Sequence, residues 1–241
     1  MKKQTLVWLL IALALFSSCR NLGSKIVKGN GIPKEASHSI TAFKKIRVDG
    51  IATVHISQGE LSPIRILGDE NLLPYITITQ KGEEIVIHNK IFYGLETKTN
   101  VDVYISGPVY QSIEVSGVGD VISNGKLVMK DPILLILKSA ANINIDINVP
   151  KIKAVVDGVG SMNLKGVTED LDLQLNNGNA KCFDLKADNV TVNNYGIGEA
   201  DVYASKTLNA NADDIGGIVY RGSPEVKSKN IGSLSTIRRA E

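Results

Sequence analysis

From residue 38 onward, apolar positions recur every second residue in short runs rich in isoleucine and valine. Val54-His55-Ile56, Ile64-Arg65-Ile66, Ile76-Thr77-Ile78, Ile85-Val86-Ile87 and Val101-Asp102-Val103-Tyr104-Ile105 are the clearest. Successive side chains of a strand point to opposite faces, so this alternation predicts half-buried β-strands. Gly50, Gly59, Gly68-Asp69 and Gly82 stand between the runs, where turn residues belong. No helical period is sustained beyond Phe43, apart from one helical turn that the pattern allows at 69–73. The fold class is all-β.

After Pro108 the pattern repeats itself. Ile113-Glu114-Val115-Ser116-Gly117-Val118-Gly119-Asp120-Val121 recurs as Ala154-Val155-Val156-Asp157-Gly158-Val159-Gly160-Ser161-Met162, then as Val190-Thr191-Val192 followed by Gly196-Ile197-Gly198-Glu199-Ala200. Degenerate copies fall between these and continue to Gly232-Ser233-Leu234. Copies lie about twenty residues apart, a spacing of stacked repeat architectures. The prediction is a parallel β-helix, a solenoid whose coils each bury a few inward residues such as Val115, Val121 and Leu127 against their neighbours. Matched glycines suit the corners, where the backbone turns left-handed or approaches another strand closely. Asn176, Asn177, Asn193 and Asn194 are expected at corners for the same left-handed tolerance. An antiparallel β-sandwich with hairpins at the glycines is the alternative fold.

The N-terminus carries a different signal. Lys2 and Lys3 precede the apolar run Leu6–Phe16, which has the length of an export-signal core and is too short to span a bilayer comfortably. The run ends in Leu15-Phe16-Ser17-Ser18-Cys19, which resembles a bacterial lipobox, so residues 1–18 read as a lipoprotein signal peptide and Cys19 as the lipidated residue. The polar, Gly- and Ser-containing stretch 19–37 reads as a flexible tether, and 38–241 as the β-helical domain. With Cys19 acylated, Cys182 has no intrachain partner and reads as a small buried apolar residue. Loss of Lys2 and Lys3 leaves 25 basic and 25 acidic residues. A mature chain of zero formal charge gives no reason to expect nucleic acid as a partner.

The export signal, the phrases Phe43-Lys44-Lys45-Ile46-Arg47-Val48-Asp49-Gly50 and Gly68-Asp69-Glu70-Asn71-Leu72, and the recurring Gly-x-Gly corners together resemble a known family. It is the head GIN domain family, also called DUF2807, of "putative auto-transporter adhesins" found in bacterial lipoproteins. The resemblance runs from about Thr41 to about Leu234 and implies a right-handed parallel β-helix. The family's Ser-Gly-Ser-Gly corners become Ser116-Gly117-Val118-Gly119 and Asp157-Gly158-Val159-Gly160, with a central valine as the departure. No functional residues are carried over with it.

Motifs of chemistry are sparse. Gly117-Val118-Gly119 lacks the third glycine, the following helix and the lysine of a phosphate loop. Asp120, Ser161 and Glu199 occupy equivalent corner positions and form no aspartate ladder of the calcium-binding type. His38, His55 and His88 are scattered, Gly-x-Ser-x-Gly is missing, and no histidine follows residue 88. The expected catalytic, metal and cofactor sets are therefore empty.

A non-enzymatic cell-envelope lipoprotein, an adhesin or scaffold presenting its β-helix to a protein or glycan partner, is the leading expectation. It would be held by its lipid anchor, on the periplasmic side of the outer membrane. Tyr195, Tyr203 and Tyr220 are the candidate partner surface, and unpaired strand edges would allow self-association through the ends of the β-helix. The alternative is a glycan-binding or glycan-cleaving β-helix enzyme, for which Asp170, Asp172, Asp184 and Asp213 would have to converge with a lysine or arginine.

Overall fold

The structure is a computed structural model that describes residues 25–90 and 93–241. Two parallel stacks of strands run side by side and form a β-solenoid of about 7 turns, with about 19 residues per turn. The first stack contains Lys45–Val48, Ser112–Val115, Ile133–Leu137 and then 152–156, each paired in parallel with the next. The second contains Thr53–Gln58, Val121–Val128 and 142–149, again in parallel register. From Asn142 onward single strands as long as Asn179–Ile197 bend from one stack into the other. The sandwich alternative is excluded by this parallel pairing.

The alternation does in three dimensions what it does along the chain. Ile46, Ile113, Leu135, Ala154, Leu173, Val192 and Ala210 occupy one level of the register, all point inward and all are buried. Val115, Val121 and Leu127 are fully buried, as the repeats require. Inward side chains change in size from coil to coil: at this level Ala154 lies between Leu135 and Leu173, and in the second stack Ala180 and Ala200 are followed by Ile218 and Ile237.

The corners show which of the two expected roles the glycines play. A Cβ on Gly119 would overlap the Ala52 carbonyl, and one on Gly160 the Ala141 carbonyl, because the corner backbones sit directly on one another. Close approach, and not a left-handed φ, fixes glycine at these two positions. The asparagines are not left-handed corner residues either: Asp214, with φ 58°, is the one non-glycine with positive φ among the described residues. Asn194 instead points inward and is fully buried, donating from Nδ2 to the Gly198 and Gly217 carbonyls at 2.9 and 3.1 Å. It ties two corners from inside the core.

The N-terminal end departs from simple repetition. Lys45–Val48 lies between Glu84–Asn89 and Ser112–Val115, and Thr53–Gln58 lies between Asp102–Gly107 and Val121–Val128. The first coil in the sequence is thus the second in space. The chain descends, builds the coil below it, and then resumes above. Antiparallel strands Ile64–Asp69 and Ile76–Lys81 pair with that lowest coil, and Leu73–Tyr75 forms a 3-10 turn just beyond the predicted helical turn.

The expected tether must be corrected. Lys25–Lys28 pairs in parallel with Tyr93–Glu96, and Pro33–His38 pairs antiparallel with Ile64–Asp69. Pro33–His38 is an outer strand exposed on nearly all positions, so it carries no alternation and its polar composition imitates a linker. The signal peptide, Cys19 and residues 19–24 lie outside the described residues.

Candidate interaction surface

Outward positions of the second stack form ladders of hydrogen-bonding side chains, because residues about one turn apart share a level. Asp120 Oδ1 accepts the Asn142 backbone N–H at 2.7 Å, Asn142 Oδ1 accepts that of Ser161 at 3.3 Å, and Asn179 Oδ1 accepts that of Glu199 at 3.0 Å. The corner acids that might suggest calcium thus sit among side chains that cap the next coil. One level further, Asn163 donates to Asn144 Oδ1 at 2.6 Å.

These ladders border a cleft of about 400 Å³ lined by Ser123, Asn144, Asp146, Asn163, Lys165 and Asp184, among others. Asp146 is its focus. Lys126 and Lys165 approach its two oxygens at 3.8 and 3.6 Å, and its buried Oδ1 accepts no hydrogen bond. A cleft whose walls carry serine, asparagine and lysine groups around an ion-paired aspartate suits a hydroxyl-rich ligand. Sequence reasoning missed it because its members come from four coils and only the register brings them together. The signal was there as polar residues at outward positions one turn apart.

A second cleft, of about 570 Å³, lies near the N-terminal end and is lined by serines including Ser57, Ser62 and Ser106, with Arg65 and Tyr104. Tyr104 is held between neighbours: His55 stacks on it at 4.7 Å, and the Arg65 guanidinium lies 5.0 Å from its ring centre. His55 Nε2 is 2.8 Å from Asp102 Oδ1, so this histidine is engaged by its own sheet.

The three candidate tyrosines do not converge. Tyr195 is 46% exposed on the shoulder of a corner, Tyr203 stands on a lateral face under the Lys186 ammonium 4.0 Å from its ring, and Tyr220 packs against the core at the C-terminal end. The four aspartates are likewise spread. Asp170 and Asp172 share a small cleft with Lys151, while Asp184 lines the 400 Å³ cleft and Asp213 lies on the corner beside Tyr195's level. Asp170 and Asp172 sit level with Lys151 and Lys153 of the neighbouring strand, the opposite-charge pairing that stabilises a sheet exterior. Asp201 stands apart: burial, reinforced by the neighbouring Glu199, pushes its carboxyl above the ordinary range.

Among the described residues no group of three or more His, Cys, Asp or Glu is placed to hold a metal ion. Cys182 is fully buried, and burial pushes its thiol up to about 12, which makes it unreactive at neutral pH.

The fold and its lateral ladders define a repeat protein of the parallel β-solenoid class, built to present surface. More specifically, the chain belongs to the family described as "Putative auto-transporter adhesin, head GIN domain" (DUF2807), whose sequence profile matches residues 42–224. Crystal structures of similar fold include a "putative adhesin" from Bacteroides fragilis, with 22% identity, TM-score 0.81, and coverage of 89% of this chain and 100% of that one. Another "putative adhesin", from Parabacteroides merdae, has 25% identity and TM-score 0.69, with 90% and 100% covered. A "putative lipid binding protein" from Parabacteroides distasonis has 22% identity and TM-score 0.71, with the same coverage. A search of curated proteins gives no match.

Proposed function

We propose that this chain is a non-enzymatic adhesin or scaffold of the bacterial cell envelope, acylated at Cys19 and held at the outer membrane, whose lateral face binds a macromolecular partner. The observation that carries this reading is the second stack's outer face. It offers a run of Asn, Ser, Asp and Lys groups and a 400 Å³ cleft in which Asp146 lies between Lys126 and Lys165. Such a surface recognises hydroxyl and amide groups without needing to transform them. The family description agrees with an adhesive role.

Binding of the full chain to arrays of glycans and envelope proteins, with product analysis on every glycan hit, tests the proposal. A saturable hit that weakens at least tenfold in Asp146→Asn and Asn163→Ala variants, without turnover, supports it. No hit altered by those variants would remove the cleft from the reading. Membrane fractionation tests the anchor: Cys19→Ser should release the chain or leave it unprocessed.

The second reading, a glycan-cleaving enzyme, draws on the Lys151, Asp170 and Asp172 cleft, the one place where an acid pair meets a lysine among the candidates named above. Glycan cleavage that vanishes in both Asp170→Asn and Asp172→Asn would put this reading first.

A further inference from the structure

The corners that join the first stack to the second each place one side chain at the outer tip. The pairing of Val48 with Val115, Leu137 with Val156, and Ala212 with Ile231 puts these tips at one level per coil. Val118, Val159, Ile197, Ile215 and Leu234 occupy them, and they are 68%, 74%, 61%, 55% and 69% exposed. Ala140 and Asn177, also exposed, fill the two tips between.

Their line-up follows from the glycines. The Gly119 N–H donates to the Gly50 carbonyl and the Gly160 N–H to the Ser139 carbonyl, at 3.2 and 3.1 Å, so corner lies on corner. With no room for a Cβ on the flanking glycines, the side chains of Val118, Val159 and Ile197 are forced outward. At the ~4.8 Å spacing of neighbouring strands, the tips from Val118 to Leu234 make a ridge roughly 30 Å long. Isolated exposed aliphatics are ordinary, but large aliphatic side chains on five of seven successive tips, with Ala140 and Asn177 on the other two, make an apolar line that marks an interaction site.

We propose that this ridge is where two copies of the chain pack side by side. Charge on its shoulders favours a second copy. On one shoulder stand Ser116, Lys138 and Asp157; on the other, at the same levels, Asp120, Asn142 and Ser161. Two copies related by a twofold along the solenoid axis bring Ser116 to Asp120, Lys138 to Asn142 and Asp157 to Ser161. No acid faces an acid, and each charged group meets a neutral hydrogen-bonding one. The shoulder pairs that follow, Asn176 with Asn179 and then Tyr195 with Glu199, obey the same rule. An anionic lipid surface, by contrast, would meet Asp157, Asp213 and Asp214 beside the ridge. The buried area would be roughly 1,000 Å² over both copies, at the low end for specific interfaces, so the dimer is weak and depends on concentration. This pairing uses the flank of the solenoid and is independent of any partner bound in the lateral cleft.

Sedimentation of the purified full chain over roughly 1 to 100 μM, a range suited to a weak interface, should show apparent mass rising from monomer toward dimer. Val118→Asp, Val159→Asp and Ile197→Asp together should hold the chain monomeric, with unfolding temperature little changed because all three side chains are solvent-facing. Asn177→Cys provides a second readout. It lies near the middle of the ridge, and the wild-type chain, with Cys19 and buried Cys182 as its only cysteines, is the control. Mild oxidation should link the variant to itself and leave wild type unlinked. A wild-type monomer throughout the range, or a triple variant that still dimerises, overturns the proposal. So does a monomer whose flotation with phosphatidylcholine vesicles is lost in the triple variant, since the ridge would then be a lipid contact.

Discussion

At the N-terminal end the contacts that hold the chain together skip far along the sequence, whereas in the body they recur at one turn. Asn30 is tied to Asn71, 41 residues away, and Gly31 to Asp69, 38 away; in the body Asn163 meets Asn144 and Asn189 meets Asp170, each 19 away. The body is therefore a quasi-one-dimensional stack in which each coil depends on its neighbours. The end coil cannot borrow a neighbour below. It is closed by antiparallel strands that enter from elsewhere in the chain and by one carboxylate that gathers two connecting segments. The opposite end is left open, and Glu225–Ile231 is exposed along its whole length and carries Lys227 and Lys229. Lysines on an unpaired edge discourage further strand addition.

The contrast can be broken most severely at a corner of the body. In Gly160→Val the new Cβ would overlap the Ala141 carbonyl, and the stacked backbones leave no room to yield. The expected loss is about 4 kcal/mol or more, read from denaturant unfolding, with the whole stack lost cooperatively. A loss under about 1 kcal/mol would mean that the corners are not close-packed. Leu173→Ala comes next. Leu173 is fully buried between coils, so its truncation should cost about 3 kcal/mol by the same measurement. Asn194→Leu should cost less, about 1 to 3 kcal/mol, because the Gly198 and Gly217 carbonyls lose their buried donor while the core gains an apolar group. If this variant is more stable than wild type, the internal tie is dispensable and the corner is held by its backbone alone.

The parts of the fold legible in the sequence are those that repeat. The Val115, Val121 and Leu127 pattern and the corner glycines sufficed for a parallel solenoid of about twenty residues per coil, because a single coil reports its own inward positions. What could not be read was anything set by which coil lies next to which. The insertion of Glu84–Asn89 and Asp102–Gly107 beneath the first coil follows from long-range pairing that no periodicity records. Pro33–His38 was hidden for a related reason: an edge strand exposed on both faces has no alternation. The candidate surface fared similarly. Tyr195, Tyr203 and Tyr220 are aromatic residues close in sequence, yet alternation and corner geometry send them in three directions. Three residues of the ridge, Val118, Val159 and Ile197, are central residues of a Gly-x-Gly, but their exposure depends on the glycines' stacking, which only the register reveals.

The last test sharpens the comparison with little effect on the body. Asp69 is fully buried in the cap, and its carboxylate accepts the backbone N–H groups of Gly31 and Lys98 at 2.8 Å and of Thr99 at 3.2 Å. Burial opposes its ionisation, but these donors, Lys98 and Thr99 foremost, outweigh burial and hold the carboxyl below the usual carboxylate range. A lowered value in the folded state means that the stabilisation is complete above the ordinary aspartate pKa and is lost as pH falls through the lowered one. Asp69→Asn keeps the shape but removes the charge that three N–H groups share. Amide hydrogen exchange at Gly31, Lys98 and Thr99 should quicken in the variant, while that of body residues such as Leu173 stays as in wild type. Wild type should approach the variant's behaviour only at acid pH. If exchange in the body rises equally, the cap and the stack open together, and the solenoid is one cooperative unit despite its two kinds of contact.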